Sequence, residues 1–178
     1  MVAASETDGL LKFDGGIARE IKPVSDPPAR QNFERAIIDG YCLDHENRLW
    51  MITRGGKLFT LERDHLKEYP FGEKGTYGGF FFFTFNPVTE RIYVSSDTLS
   101  VVTIRGFSIF SGTNNGSYIT YPVKVKSFTN GITLVGTRHD GILMIDAMQK
   151  VHSYSAKLGI PENSSHVNFY EEDPRTFW

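Results

Sequence analysis

A short pattern of residues returns along this chain at nearly constant intervals, and that periodicity restricts the fold more than any single residue does. Its clearest copy is Asp44-His45-Glu46-Asn47-Arg48-Leu49-Trp50-Met51-Ile52-Thr53, followed by Arg54-Gly55-Gly56 and the apolar pair Leu58-Phe59. A second copy runs from Asn86 to Leu99, a third from Thr129 to Leu143, and a fourth opens at Glu172 and reaches Trp178. With Trp50, Tyr93, Leu134 and Trp178 taken as equivalents, the intervals are 43, 41 and 44 residues. A unit of that length cannot bury its apolar face alone and must stack on its neighbours.

Within each unit, short β-branched and aromatic runs are separated by Gly, Asn, Asp and Pro, the residues that turn a chain back on itself. The third unit is the most regular: it predicts strands at Val123–Phe128, Ile132–Thr137, Ile142–Ile145 and Val151–Tyr154, with connectors short enough for hairpins. Four antiparallel strands in about 40–45 residues make one blade of a β-propeller. We label them A to D in chain order.

Leu10–Phe13 and Ala18–Ile21 then read as C-like and D-like, and His166–Tyr170 as A-like before a B strand at Trp178. The expected fold is all-β, about four blade equivalents, three complete and two half. The blade parts are 9–33, 34–79, 80–121, 122–165 and 166–178, after a disordered or tag-like stretch at 1–8. Because the last run stops inside a strand, the sequence reads as a fragment of a larger propeller. The run Phe80-Phe81-Phe82-Phe83-Thr84-Phe85 is too short to span a membrane and is expected as an innermost strand, apolar on both faces.

Composition narrows the functional classes. A formal net charge of -2, with no Lys/Arg cluster, gives no field for nucleic acid. The single cysteine, Cys42, excludes an internal disulfide and sits in an apolar run where a small buried side chain is expected. The sequence shows neither the basic and apolar regions of a signal peptide nor a run of about 18 apolar residues. The five histidines form no His-x-x-x-His pair, and no nucleophile elbow or phosphate-binding glycine loop is present. No catalytic residue, cofactor or metal site is expected from these motifs. Asp44, Asn86 and Asp173 stand at A–B turns, where capping of backbone amides accounts for their recurrence without a metal.

One long stretch resembles a known family. Leu134-Val135-Gly136-Thr137-Arg138-His139-Asp140-Gly141-Ile142-Leu143 is similar to the Trp-Ile-Gly-Thr-x-x-x-Gly-Leu of the two-component-regulator propeller repeats found in bacterial, Bacteroides-type hybrid sensor histidine kinases. The connector Leu158-Gly159-Ile160-Pro161-Glu162-Asn163, the strand from Val167, the acidic turn Glu171-Glu172-Asp173 and the pair Phe177-Trp178 extend the match. Leu49-Trp50-Met51-Ile52-Thr53 before Gly55-Gly56 supports it independently. The resemblance implies a non-catalytic, periplasmic sensory module of a signal-transduction protein, binding a small molecule or an oligosaccharide. The kinase domain of such a parent is absent from these residues.

In a blade, each strand reverses direction, so B–C hairpins and D–A connections share one end and A–B turns lie at the other. The first end collects the candidate ligand-binding residues: Arg54, Arg138 and His139 from B–C turns, and Lys74, Tyr77, Asn114 and Tyr121 from D–A connections. They offer the donors, acceptors and aromatic faces that sugar binding requires, on loops held by a rigid scaffold. Two further readings stand beside this one. A protein-interaction scaffold would pair with further blades or with another copy of the chain, and a metal-dependent propeller hydrolase or lactonase would gather inward Asp, Asn or Glu.

Overall fold

The computed structural model describes residues 2–5, 9–14, 17–20, 33, 37–53, 57–63, 65–69, 82–95, 97–103, 106–110, 118–155, 167–173 and 176–177. The chain divides into two units, Met1–Phe71 and Gly72–Trp178. Both are built of antiparallel strands joined in sequence order.

In the first unit, β1 (Val2–Ser5), β2 (Gly9–Asp14) and β3 (Ile17–Glu20) form one sheet. β4 (Ile38–Leu43), β5 (Leu49–Thr53), β6 (Leu58–Glu62) and β7 (His65–Tyr69) form a second. Strand β1 is a correction, because the first eight residues read as disordered or tag-like. Val2 to Ser5 pair with Lys12 to Gly9 of β2. The physical reason is that β2 carries unpaired amides and carbonyls on its free side, and a short extended Val-Ala-Ala segment three residues upstream satisfies them.

The second unit holds β8 (Phe83–Asn86), β9 (Arg91–Ser95), β10 (Leu99–Thr103) and β11 (Gly106–Ile109) in one sheet. A second sheet is β12 (Pro122–Ser127), β13 (Thr133–Thr137), β14 (Ile142–Ile145) and β15 (Val151–Ser153). The hairpin β16 (Glu171–Asp173) and β17 (Thr176–Phe177) follows. Its first strand starts later than the expected His166–Tyr170.

The sheets of β4–β7 and β12–β15 share one frame, offset by 84 residues. Tyr41 pairs with Met51 as Val125 pairs with Val135, and Leu43 with Leu49 as Ser127 with Thr133. Both A strands carry a bulge at their start, between Ile38 and Gly40 and between Pro122 and Lys124. Proline has no amide for a ladder, so Pro122 at a strand start beside a bulge is where a sheet tolerates it.

Side chains alternate across each strand, and the two faces of β12–β15 have separate cores. Val125, Val135, Leu143 and Ile145 pack with Tyr93, Leu99, Val101 and Phe110 of the preceding sheet. Leu134 and Ile142 turn the other way, with Phe128, toward Val167 and Phe169. Tyr93 and Leu134 therefore both face the element that follows, which is the equivalence their spacing suggested. In the first unit, Leu49, Met51, Phe59, Leu61 and Leu66 share a core with Phe33, whose ring meets Phe59 edge-on at 5.3 Å.

The phenylalanine run departs from expectation. Strand β8 begins only at Phe83, and its buried residues are Thr84 and Asn86, while Phe83 and Phe85 are half-buried. Buried polar groups need partners. Thr84 Oγ1 accepts from the Ser127 amide at 3.0 Å, and Asn86 Nδ2 donates to the Gly131 carbonyl at 2.8 Å and to Thr133 Oγ1 at 3.0 Å. Phe80 and Phe81 lie outside the described residues.

Candidate functional site

Three of the seven residues singled out in the sequence, Tyr121, Arg138 and His139, lie within the described residues, and the fold brings them together. Arg54, Lys74, Tyr77 and Asn114 lie outside them. Tyr121 belongs to the D–A connection before β12, and Arg138 and His139 to the B–C turn between β13 and β14.

The Tyr121 backbone is fixed at both ends. Its amide donates to the carbonyl of Asp97 at 2.8 Å, and its carbonyl accepts from the Arg138 amide at 3.0 Å. Asp97 sits in the B–C turn between β9 and β10, so one residue ties the B–C turns of two adjacent sheets. The neighbouring Leu99 amide donates to the Ile119 carbonyl at 3.0 Å, and Thr98 and Thr120 form an isolated antiparallel bridge. These contacts hold Tyr121 in the left-handed region, φ 47°, a conformation that costs a non-glycine residue of order 1–3 kcal/mol unless its surroundings impose it.

The ring of Tyr121 is about half exposed, and the His139 ring meets it at 5.8 Å with an interplanar angle of 88°. Arg138, His139 and Asp140 are all exposed around it. The turn beneath them is organised by Thr137, fully buried, whose Oγ1 donates to the Gly141 carbonyl at 3.0 Å and accepts from the Asp140 amide at 2.8 Å. Gly141 occupies positive φ, 66°, which is why the turn carries glycine there. The result is an aromatic ring on a fixed backbone, a guanidinium and an imidazole at one end of two stacked sheets. Such a group can stack on an apolar ring face and donate hydrogen bonds to hydroxyl or carbonyl oxygens.

In each unit, the A–B turns at the other end of the sheets are held by side-chain caps. Asp44 Oδ1 accepts from the amides of Glu46 and Arg48 at 2.9 and 3.0 Å, Asn86 Oδ1 from those of Val88 and Thr89 at 3.1 Å, and Asp173 Oδ1 from Thr176 at 3.0 Å. This is the capping role their recurrence suggested. Asp44 does more: its Oδ2 accepts from Trp50 Nε1 at 2.8 Å and Arg48 Nε at 2.7 Å. Burial alone would raise its pKa, but those hydrogen bonds outweigh it and the carboxyl is held below its ordinary value. Trp50 is buried with its ring 5.1 Å from Tyr69, a packing residue and not a ligand platform. Cys42 is half-buried, and desolvation, aided by Asp44, pushes its thiol far above the usual range. Among the described residues, no three His, Cys, Asp or Glu side chains gather as a metal site would require.

Sequence reasoning missed Asp97 and Gln149. Asp97 acts through its carbonyl, which no side-chain pattern reveals. Gln149, at φ 68° in the turn between β14 and β15, accepts from Arg91 Nη1 at 2.6 Å and from the Tyr93 hydroxyl at 2.8 Å, linking two sheets.

Solved structures with this arrangement of strands are propellers. The extracellular domain of a hybrid two-component system from B. thetaiotaomicron aligns over 72% of this chain and 20% of its own, with 16% identity and a TM-score of 0.55. Virginiamycin B lyase from Staphylococcus aureus aligns over 85% of this chain and 53% of its own, with 14% identity and a TM-score of 0.57. A streptogramin B lyase aligns over 86% and 53%, with 18% identity and a TM-score of 0.57. The chain is a run of β-propeller blades. It spans about a fifth of the sensor domain and about half of each lyase. No family model matches the sequence, and no curated protein matches it. Among the described residues, no helix is long and apolar enough to cross a membrane.

Proposed function

We propose that these blades are a non-catalytic sensory module of the kind found in the extracellular domains of two-component systems, and that Tyr121, Arg138 and His139 receive a small polar ligand. The observation that carries this reading is the fixation of Tyr121. Two backbone hydrogen bonds hold it between adjacent B–C turns, so the backbone that carries its ring is set before any ligand arrives, with the His139 ring edge-on at 5.8 Å. Pre-ordering removes part of the entropy cost of binding. The extracellular location of the sensor domains that share the fold, and the sequence resemblance to their repeats, support an extracellular or periplasmic setting and an oligosaccharide ligand. Arg54, Lys74, Tyr77 and Asn114 belong to the same proposal as further loop-borne contacts.

The test is isothermal titration of the protein with a panel of glycan-derived oligosaccharides, repeated with Tyr121→Ala and His139→Ala. We expect at least one ligand to bind, with Tyr121→Ala weakening it about tenfold or more, consistent with about 1–3 kcal/mol for loss of an aromatic stacking contact. A panel without heat, or a ligand whose affinity both variants leave unchanged, would remove the assignment.

The lyase fold neighbours favour one second reading. One of them, solved with quinupristin, loses activity on a single His→Ala change, and His139 is an exposed histidine at the loop end of this chain. A lyase would consume virginiamycin B, and His139→Ala would abolish that. Intact antibiotic after prolonged incubation would dismiss this alternative.

A further inference from the structure

Polar side chains from two neighbouring sheets of the second unit converge where the A–B turn between β8 and β9 meets the C–D turn between β14 and β15. Gln149 Oε1 accepts from Arg91 Nη1 at 2.6 Å and from the Tyr93 hydroxyl at 2.8 Å. A guanidinium carries only donors, so it must face the oxygen of the Gln149 amide, and the orientation of that amide follows. Its nitrogen, Nε2, is left to find a different partner.

Both turns are fixed by their own hydrogen bonds. In the C–D turn, the Asp146 carbonyl accepts from the Gln149 amide at 2.9 Å and Asp146 Oδ1 from the Lys150 amide at 2.9 Å. Asp146 Oδ2 lies 2.9 Å from His152 Nε2. In the A–B turn, Asn86 Oδ1 accepts from the Val88 and Thr89 amides. The side chains of Thr89 and Gln149 are thus presented by backbones that are set independently of each other.

Thr89 Oγ1 and Gln149 Nε2 are both sealed from solvent, and neither has a hydrogen-bond partner in the protein. Among the described residues they are the only side-chain atoms of that kind, and they belong to one junction. Nε2 shares a carbon with Oε1, which holds the Tyr93 hydroxyl. Thr89 stands near the same hydroxyl without bonding to it: burial pushes the Tyr93 pKa up, while Gln149, Arg91 and Thr89 act against that rise. A sealed donor or acceptor without a partner is costly, and protein interiors meet that cost with ordered water.

We propose that this junction is a binding site for one ordered water, which accepts from Gln149 Nε2, bonds to Thr89 Oγ1 and donates to the oxygen of the Tyr93 hydroxyl. That oxygen is open to accept because its own proton is given to Gln149 Oε1. Three partners are the usual set for a buried water. The water links the A–B turn of one blade to the C–D turn of the next, a bond that Thr89 and Gln149 do not make directly.

The test is a high-resolution crystal structure of the full chain, with urea denaturation of the chain and of Thr89→Val. We expect one water at about 2.7–3.2 Å from both Thr89 Oγ1 and Gln149 Nε2. Thr89→Val is expected to lower the denaturation midpoint by about 0.5 M urea, because the valine methyl takes a partner from the water. Were the hydroxyl truly without a partner, the same substitution would raise the midpoint by removing a stranded polar group. A junction without water, or one in which both atoms bond to protein groups, overturns the proposal. So does a midpoint that Thr89→Val raises or leaves unchanged.

Discussion

Three residues carry the repeat at the smallest scale. Asp44 is a buried carboxylate whose hydrogen bonds come from two backbone amides, the Trp50 indole and the Arg48 guanidinium. Asp44→Ala strands those donors, and we expect a loss of about 3 kcal/mol in chemical denaturation. The pH dependence follows from the lowered carboxyl pKa. The ionised form is favoured in the folded state, so its stabilisation is complete above the ordinary value near 3.8 and is lost as pH falls through the depressed folded-state value. Acid unfolding followed by circular dichroism should be shallower in Asp44→Asn than in the unsubstituted chain. Gly131 stands at φ +85° with Val88 Cβ 2.8 Å from its own missing Cβ, so Gly131→Ala should cost about 2 kcal/mol from backbone and clash together. Gly136 lacks that positive φ and is crowded only by Val167, so Gly136→Ala should cost about 1 kcal/mol. The capping role of Asp44 was legible because an Asx turn is local. The reason for Gly136 was not, because its neighbour Val167 arrives from a segment 31 residues further on.

At the scale of the element, four-stranded hairpin runs were legible because alternation and turn residues act over a few positions. The third unit illustrates this: its expected strands match β12 to β15 within one residue at each end. What escaped was the polarity of the inner strand. A run of phenylalanines suggested apolar burial on both faces, but the contact between sheets is made by Thr84 and Asn86, which bond to Ser127, Gly131 and Thr133. Those partners lie more than forty residues away, so local pattern cannot announce them. Asn86 is fully buried, and Asn86→Ala should cost about 2 kcal/mol by leaving the Gly131 carbonyl unpaired and freeing the turn amides of Val88 and Thr89. Hydrogen exchange should then speed up at the amides of β12 and β13 together.

For the molecule as a whole, the sorting of loops to one end and turns to the other came from strand reversal alone, and Tyr121 bonding to both Asp97 and Arg138 displays that sorting in the second unit. The proximity of Tyr121, Arg138 and His139 was legible only as a shared end. Their contact depends on the left-handed backbone of Tyr121, which the sequence gives no reason to expect of a tyrosine. The central functional claim is that ligand chemistry resides at this end and structural capping at the other. The most direct test is amide chemical-shift mapping by NMR while an oligosaccharide panel is titrated in. Saturable shifts are expected at Asp97, Tyr121, Arg138 and His139, with Asn86 and Gln149, at the other end of the same unit, unmoved. Shifts confined to the Asn86 and Gln149 end of the second unit would contradict it.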